Sequence, residues 1–156
     1  MRILMVCLGN ICRSPMAEGL MKRKISEAKL PWIVDSAGTA NYHVGLPPDV
    51  RMVETGVKFR TPIHSLRARQ FNQRDFEDFD VIYAMDKANF RAILHLAPSD
   101  HAKRKVRLIC DEATVKTYEE VPDPYYGTTA DFELVYHLLD HLTEQIKTKL
   151  INEQTR

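Results

Sequence analysis

The sequence predicts an α/β fold in which a parallel sheet is covered by helices on both faces. Four short apolar runs, rich in β-branched residues, alternate with segments whose apolar positions recur every three or four residues. The runs are continuous rather than alternating, which is typical of strands buried on both faces. With 156 residues, 44% of them hydrophobic, the chain is expected to form one domain, residues 1–156, around its own core.

The apolar runs define the strands. Strands are expected at residues 3–6, at 33–34 leading into the Asp-Ser-Ala-Gly segment 35–38, at 81–85 and at 106–109. After the last strand, the polar stretch 114–129 contains two prolines and a glycine and is too long for a plain connection. Unusually long loops are often functional, so this one is a candidate part of a site.

The segments between and after the strands predict helices. The first is expected at about residues 15–29, with Ser14 as its N-cap and Pro15 in its first position. Further helices are expected at residues 47–56 behind a Pro-Pro pair, at 86–95 behind a cap at Asp86, and at 132–150, where the apolar positions form one stripe.

The balance of charges excludes several classes of function. The chain has 22 Lys and Arg against 21 Asp and Glu, so it offers no general basic surface to nucleic acid or anionic membranes. No apolar stretch reaches the ~18 residues of a membrane span, and the first residues do not resemble a signal peptide. We therefore expect a cytoplasmic protein in which any anion site is local.

The three cysteines, Cys7, Cys12 and Cys110, are predicted to be thiols. They are odd in number and include no C-x-x-C pair, which argues against a disulfide framework and a structural zinc site. Cys110 ends the fourth predicted strand and is expected in the core. His137 and His141 have a spacing that can bind metal, but no further ligands complete a site, so no metal is expected.

The strongest functional signal is the loop at residues 7–15, Cys-Leu-Gly-Asn-Ile-Cys-Arg-Ser-Pro, between the first strand and the first helix. A tight turn ahead of a helix presents backbone N–H groups and the positive end of the helix dipole, which together bind oxyanions such as phosphate. Gly9 and Asn10 tolerate the positive φ that such a turn requires. Arg13 adds a cation.

These groups favour the thiolate form of Cys7, which is a nucleophile. If a phosphate monoester is bound, the sulfur is positioned to attack phosphorus and form a phosphocysteine intermediate. A cysteine six residues before an arginine is a weak signal by itself. The coincidence of a strand end, a turn and a helix start in nine residues makes it specific.

Expelling the alcohol or phenol also requires a proton donor, and Asp123 in the long loop is the candidate. It precedes Pro124, and an Asp-Pro pair alone favours a plain turn. The need for an acid shifts the balance toward catalysis.

Five segments of the sequence closely resemble the low-molecular-weight protein tyrosine phosphatases, in that family's order along the chain. They are 7–15, 35–38, 68–80, 85–89 and 123–127. The resemblance implies a three-layer, flavodoxin-like fold with a four-stranded, twisted parallel sheet. It implies hydrolysis of phosphotyrosine and small aryl phosphates through Cys7, Arg13 and Asp123, with no metal or other cofactor.

The resemblance also assigns supporting roles. Ser14 would donate to the sulfur, and hydrogen bonds to Ser14 and Ser36 would hold Asn10 at positive φ. The phosphate-binding loop would comprise Leu8, Gly9, Asn10, Ile11, Cys12 and Ser14, and the aromatic walls of the cleft Tyr42, Tyr125 and Tyr126. Aromatic walls suit a phenyl ring.

Two features leave alternatives open. Cys12 is either a redox partner that protects Cys7 by a reversible disulfide or a small packing residue. Leu66 stands where the family often has a histidine that supports the loop. Either His64 replaces that imidazole through a shifted backbone, or the network lacks it.

Two other functions compete with a phosphatase. An arsenate reductase on the same fold needs further redox cysteines, and only Cys110 lies outside the loop. A non-catalytic phosphate-binding module needs neither a nucleophile nor an acid. For the phosphatase the expected partners are tyrosine-phosphorylated proteins, and the expected state is a monomer or weak homodimer.

Overall fold

One sheet forms the centre of the molecule. The computed structural model describes all 156 residues and places four parallel strands in the order β2-β1-β3-β4. Their bounds are Arg2–Cys7 (β1), Ile33–Gly38 (β2), Val81–Ala84 (β3) and Val106–Leu108 (β4). The predicted four-stranded parallel sheet is confirmed.

Helices cover both faces of this sheet. Their bounds are Arg13–Glu27 (α1), Val50–Lys58 (α2), Asp75–Asp78 (α3), Lys87–Leu96 (α4), Asp100–Arg104 (α5) and Thr129–Gln154 (α6). The long helices α1 and α6 pack together on one face, and α4 and α5 lie against β3 and β4 on the other. The predicted three-layer α/β fold is therefore confirmed.

The strand β1 shows why its apolar run is continuous. Ile3, Met5 and Cys7 belong to the core beneath α1 and α6, whereas Leu4 and Val6 belong to the smaller core beneath α4. Successive side chains of a strand point to opposite faces, so a central strand needs apolar residues at every position.

Two predicted helix starts are wrong. Helix α1 begins at Arg13, two residues earlier than expected, and Ser14 does not cap it. The Ser14 hydroxyl instead bonds the side chains of Asn10 and Cys7. Helix α2 begins after the Pro-Pro pair, where Asp49 is the cap and accepts from the Arg51 N–H (2.8 Å).

The other elements largely follow the prediction. Asp86 caps α4 as expected, accepting from the Asn89 N–H (2.7 Å). The short helices α3 and α5 were not predicted, because four or five residues carry no periodic signal. No helix of the fold combines the length and the apolar character that a membrane crossing requires.

Candidate active site

Cys7 lies at the end of β1, at the edge of the sheet where the carboxyl ends of the strands meet, and its thiol is buried. The adjoining segment after β2 holds this end in place, since the N–H groups of Thr39 and Ala40 donate to the carbonyls of Cys7 and Leu8 (both 2.9 Å). A Cβ on Gly38 would lie 2.7 Å from the Leu8 oxygen, so this close approach requires glycine.

The loop after Cys7 offers free hydrogen-bond donors. No protein group accepts a hydrogen bond from the backbone N–H of any residue from Gly9 to Cys12. The first turn of α1 follows directly and has no side-chain cap. Unused N–H groups and a helix N-terminus together form a site for an oxyanion.

Arg13 is buried beside this loop, and one of its terminal nitrogens makes two hydrogen bonds. Its Nη1 donates to Asp86 Oδ2 (2.7 Å) and to the Val121 carbonyl (3.1 Å), and its Nη2 lies 3.6 Å from Asp123 Oδ2. Burial opposes its charge, but Cys7, Asp86 and Asp123 together raise the pKa of Arg13 above its ordinary value. The side chain is therefore a permanent cation in the pocket.

Asn10 shapes the loop and has positive φ (56°). Its Nδ2 donates to Ser14 Oγ (2.8 Å) and Ser36 Oγ (2.9 Å), while its Oδ1 accepts from the Arg69 N–H (3.0 Å). Ser14 Oγ in turn lies 3.0 Å from Cys7 Sγ. Three hydrogen bonds to one buried amide compensate for a backbone conformation that is uncommon outside glycine.

An imidazole does not take part in this support. His64 is exposed and forms no side-chain hydrogen bond, and Leu66 packs against the core. The buried carboxylate of Glu18 instead accepts from Ser36 Oγ (2.7 Å). Of the two alternatives left open by the sequence, the structure therefore has the network without its histidine.

Asp123 reaches the pocket from the long loop before α6. Its side chain is half-exposed, and its Oδ1 accepts from the Tyr125 N–H (3.1 Å) in a local turn. The loop is anchored beside it, because the Val121 N–H donates to the Met85 carbonyl at the end of β3 (2.9 Å). The Asp-Pro pair forms a turn, and this turn presents the carboxyl group opposite Arg13, while the role of Asp123 as an acid stays a prediction.

A cleft of about 320 Å³ opens above the thiol. Besides Cys7, Arg13 and Asp123 at its base, it is lined by Leu8, Gly9, Ile11, Cys12, Tyr42, His43, Tyr125 and Tyr126. The rings of Tyr125 and Tyr126 meet edge to face with centroids 4.9 Å apart. The structure thus gathers the catalytic and cleft residues predicted from sequence in one place.

The other two cysteines differ from Cys7 in their surroundings. Burial, followed by the charges of Asp49, Cys7 and Asp123, raises the pKa of the Cys12 thiol, which keeps it protonated. Burial raises the pKa of Cys110 to about 11. All three are free thiols, and no cluster of three or more His, Cys, Asp or Glu side chains is arranged to hold a metal ion.

Sequence reasoning missed three contributors to the site. Asp86 was predicted only as a helix cap, yet it also pairs with Arg13. His43 lines the cleft, and Glu18 supports Ser36. Glu18 left one signal, since a glutamate among the apolar positions of a buried helix is unusual and implies a partner.

A thiol set in an oxyanion-binding loop, with a buried arginine beside it and a carboxyl group opposite, defines a cysteine-dependent phosphatase. The model of the family described as low molecular weight phosphotyrosine protein phosphatase matches residues 2–156. The chain therefore belongs to that family, and its predicted function as a protein tyrosine phosphatase is confirmed.

Individual relatives match most or nearly all of the chain. A Synechocystis sp. protein whose name describes it as a low molecular weight protein-tyrosine-phosphatase is 47% identical over 155 residues. The match covers 98% of each chain. The human low molecular weight phosphotyrosine protein phosphatase is 38% identical and covers 86% of this chain and 85% of its own. A crystal structure of an Entamoeba histolytica protein tyrosine phosphatase superposes with a TM-score of 0.94 at 40% identity, covering 99% of both chains.

Proposed function

We propose that Cys7, Arg13 and Asp123 carry out phosphotyrosine hydrolysis in two steps, within one catalytic domain that spans residues 1–156. The phosphate oxygens bind the free N–H groups of residues 9–12 and the Arg13 guanidinium. This holds the phosphorus atom in line with Cys7 Sγ. The aromatic ring of the substrate lies between Tyr42 and the Tyr125–Tyr126 pair.

In the first step the thiolate of Cys7 attacks phosphorus. A sulfur–phosphorus bond forms and the bond from phosphorus to the phenolic oxygen breaks. The carboxyl group of Asp123 gives its proton to the departing oxygen, so that a neutral phenol leaves. Because Arg13 and the loop amides are already in place, the charge that develops on the equatorial oxygens is stabilised without rearrangement.

In the second step water attacks the phosphocysteine. The Asp123 carboxylate, now a base, takes a proton from the water, and the sulfur–phosphorus bond breaks to release inorganic phosphate. Cys7 leaves as a thiolate, to which the Ser14 hydroxyl 3.0 Å away is placed to donate. Asn10, Ser14 and Ser36 maintain the loop through both steps.

The observation that carries this assignment is the set of unused N–H groups around a buried thiol. The experiment is rapid acid quench after mixing the enzyme with a radiolabelled aryl phosphate. We expect covalent label on the wild-type protein and none on Cys7→Ser. Label on neither protein, with hydrolysis still observed, would contradict a phosphocysteine intermediate.

The same proposal extends to partners and to Cys12. The substrates would be tyrosine-phosphorylated proteins in the cytoplasm, acted on by a monomer or weak homodimer without a cofactor. Cys12, which lies in the same loop as Cys7, would form a reversible disulfide with it under oxidation. Activity that a dithiol fails to restore after mild peroxide treatment would count against this protection.

A further inference from the structure

Exposed apolar side chains surround the mouth of the cleft. We define the apolar rim as Leu8, Tyr42, Val44, Leu46, Tyr125 and Tyr126, whose exposed fractions range from 37% to 96%. Four of them line the cleft, and Val44 and Leu46 follow the cleft residues Tyr42 and His43 along the chain. Scattered exposed apolar residues are ordinary, but a group that borders one cleft indicates a binding surface.

The segment that carries half of the rim is held in a fixed shape. The Leu46 N–H donates to the His43 carbonyl (2.9 Å), and Ala68 bonds both Gly45 and Leu46 through its carbonyl and N–H (2.8 and 2.9 Å). The His43 ring seats on the phosphate loop, because a Cβ on Gly9 would lie 3.0 Å from it. The side chains of Val44 and Leu46 are therefore exposed on a structured turn beside the cleft.

Charges near the cleft are already paired. Arg13 bonds Asp86, and Arg51 bonds both Asp49 and the Tyr125 carbonyl. Recognition of acidic residues next to a phosphotyrosine would require free arginines or lysines, and none lines the cleft.

On the basis of the proposed function, we infer that this phosphatase prefers phosphotyrosyl segments whose neighbouring residues are apolar. Six side chains are far fewer than the roughly 20–30 residues that each partner contributes to a stable protein interface. A short peptide segment therefore fits the rim better than a second copy of the chain does.

The test compares two phosphotyrosyl peptides of equal length, one with leucine and one with aspartate on both sides of the phosphotyrosine. We expect kcat/KM to be about tenfold higher for the leucine peptide, since burying part of a leucine side chain is worth about 1.4 kcal/mol. Leu46→Asp should reduce this ratio. The matched control is Ile33→Asp, an equally exposed residue at the opposite end of the sheet, which should leave the ratio unchanged.

Equal kcat/KM values for the two peptides, or a preference that Leu46→Asp leaves intact, would overturn the inference. Hydrolysis of a small aryl phosphate separates this failure from failure of the proposed function, because that reaction depends on Cys7 and not on Val44 or Leu46, which lie outside the lining of the cleft. A stable dimer in sedimentation at the assay concentration, abolished by Leu46→Asp, would also overturn it in favour of a second copy.

A second, independent observation concerns the buried carboxylate of Glu18. It accepts a hydrogen bond from Ser36 Oγ (2.7 Å) and pairs with Lys22 one turn along α1. A carboxylate can only accept, so the Ser36 hydroxyl must donate to it and must accept from Asn10 Nδ2. The second hydrogen of that amide is donated to Ser14 Oγ, so the Ser14 hydroxyl can donate to Cys7 Sγ (3.0 Å), with the Ala37 carbonyl as a longer alternative acceptor (3.5 Å).

We propose that Glu18 is a positioning residue: by accepting from the Ser36 hydroxyl it holds Ser36 Oγ as an acceptor for Asn10, and Asn10 in turn holds Ser14 beside the Cys7 sulfur. Lys22 serves as its counter-ion in place of the missing imidazole. Three side chains, those of Ser36, Asn10 and Ser14, connect the Glu18 carboxylate to the Cys7 sulfur. Glu18 therefore acts without any contact to substrate.

Glu18→Gln tests the proposal, because glutamine keeps the shape but can also donate. We expect kcat to fall about tenfold, as when one hydrogen bond to a charged group is weakened, with KM changed less than about twofold. Alkylation of Cys7 by iodoacetate should require a higher pH than in the wild type. Arg13, Cys12, His43 and Asp123 also line the cleft with this thiol and are unaltered by the substitution.

Glu112→Gln is the matched control. Glu112 is an equally buried carboxylate that bonds Tyr83 and Lys149 away from the cleft, so its loss should leave kcat and the alkylation profile unchanged. If Glu18→Gln does not fold, Lys22→Met removes only the counter-ion at the surface and should shift alkylation in the same direction. An unchanged kcat and alkylation profile in the folded variant would overturn the proposal.

Discussion

The loop of residues 7–13 is largely buried and held from several directions, whereas the loop of residues 114–128 is almost wholly exposed. In the first, Asn10 alone makes three side-chain hydrogen bonds, and β2 packs directly on the backbone. In the second, Val121 and Pro124 are the only buried residues. In the proposed mechanism, the loop that binds phosphate is therefore the buried and well-held one, and the carboxyl group that exchanges a proton lies on the more exposed segment.

Substitution of the nucleophile should have the largest effect. Cys7→Ser is expected to lower kcat on an aryl phosphate by at least ~10⁴-fold, because the hydroxyl is not ionised in the same site. Cys110→Ser, at an equally buried thiol outside the loop, should retain activity. Substantial turnover by Cys7→Ser would mean that the rigid loop binds phosphate but does not supply the nucleophile.

Arg13→Lys should cost about 10³-fold in kcat/KM. Lysine keeps the charge but loses the planar fork that bonds Asp86 and Val121 while facing the phosphate. The conservative change of another paired arginine, Arg107→Lys, is the control. Equal activity of the two variants would show that the fixed geometry of the loop is unnecessary.

Asp123→Asn distinguishes most directly between the contributions of the two loops, proton transfer and phosphate binding. We expect kcat to fall by about 10²–10⁴-fold for a substrate with a poor leaving group and much less for a good one, because only the former needs a proton. Binding of inorganic phosphate should be unchanged. Asp111→Asn, at an exposed carboxylate near the same loop, provides the control, and a uniform loss over all leaving groups would contradict the acid role.

Asn10→Ala should destabilise the protein by about 1–3 kcal/mol, measured by urea unfolding. The variant loses three hydrogen bonds and leaves alanine at positive φ. Asn152→Ala, on the last turns of α6, should be nearly neutral. If Asn10→Ala unfolds at the wild-type urea concentration, the loop does not depend on this amide.

Tyr126→Ala should have the smallest effect. Its side chain is 96% exposed, so the free energy of unfolding should stay within about 0.5 kcal/mol, while KM for a phosphotyrosyl peptide rises a few fold. A change in urea stability as large as that of Asn10→Ala would contradict the difference between the loops.

The same contrast determines what could be predicted from sequence. The strands and the phosphate loop were predictable, because a continuous apolar run ending in Cys7 and a turn before a helix are local signals. The start of α1 was not, since Ser14 gives its hydroxyl to Asn10 and Cys7, and neither bond is visible in a helix-capping pattern.

Contacts between distant segments were beyond sequence reasoning. Arg13 meets Asp86, 73 residues away, and Glu18 meets Ser36 on a neighbouring strand. Taken alone in the sequence, Asp86 is explained as a helix cap and Glu18 as a charged residue on a helix. They come together because β1, β2 and β3 lie side by side and parallel in the sheet, so that their carboxyl ends meet at one edge.

Asp86 joins two demands in a single carboxylate. Its Oδ1 accepts from Asn89 at the start of α4, and its Oδ2 accepts from Arg13. Replacing Asp86 by an apolar residue would therefore remove the cap of α4 and the hydrogen bond to the Arg13 guanidinium at the same time. Asparagine or serine at this position would still cap α4, but among good capping residues only aspartate also supplies the negative charge that pairs with Arg13.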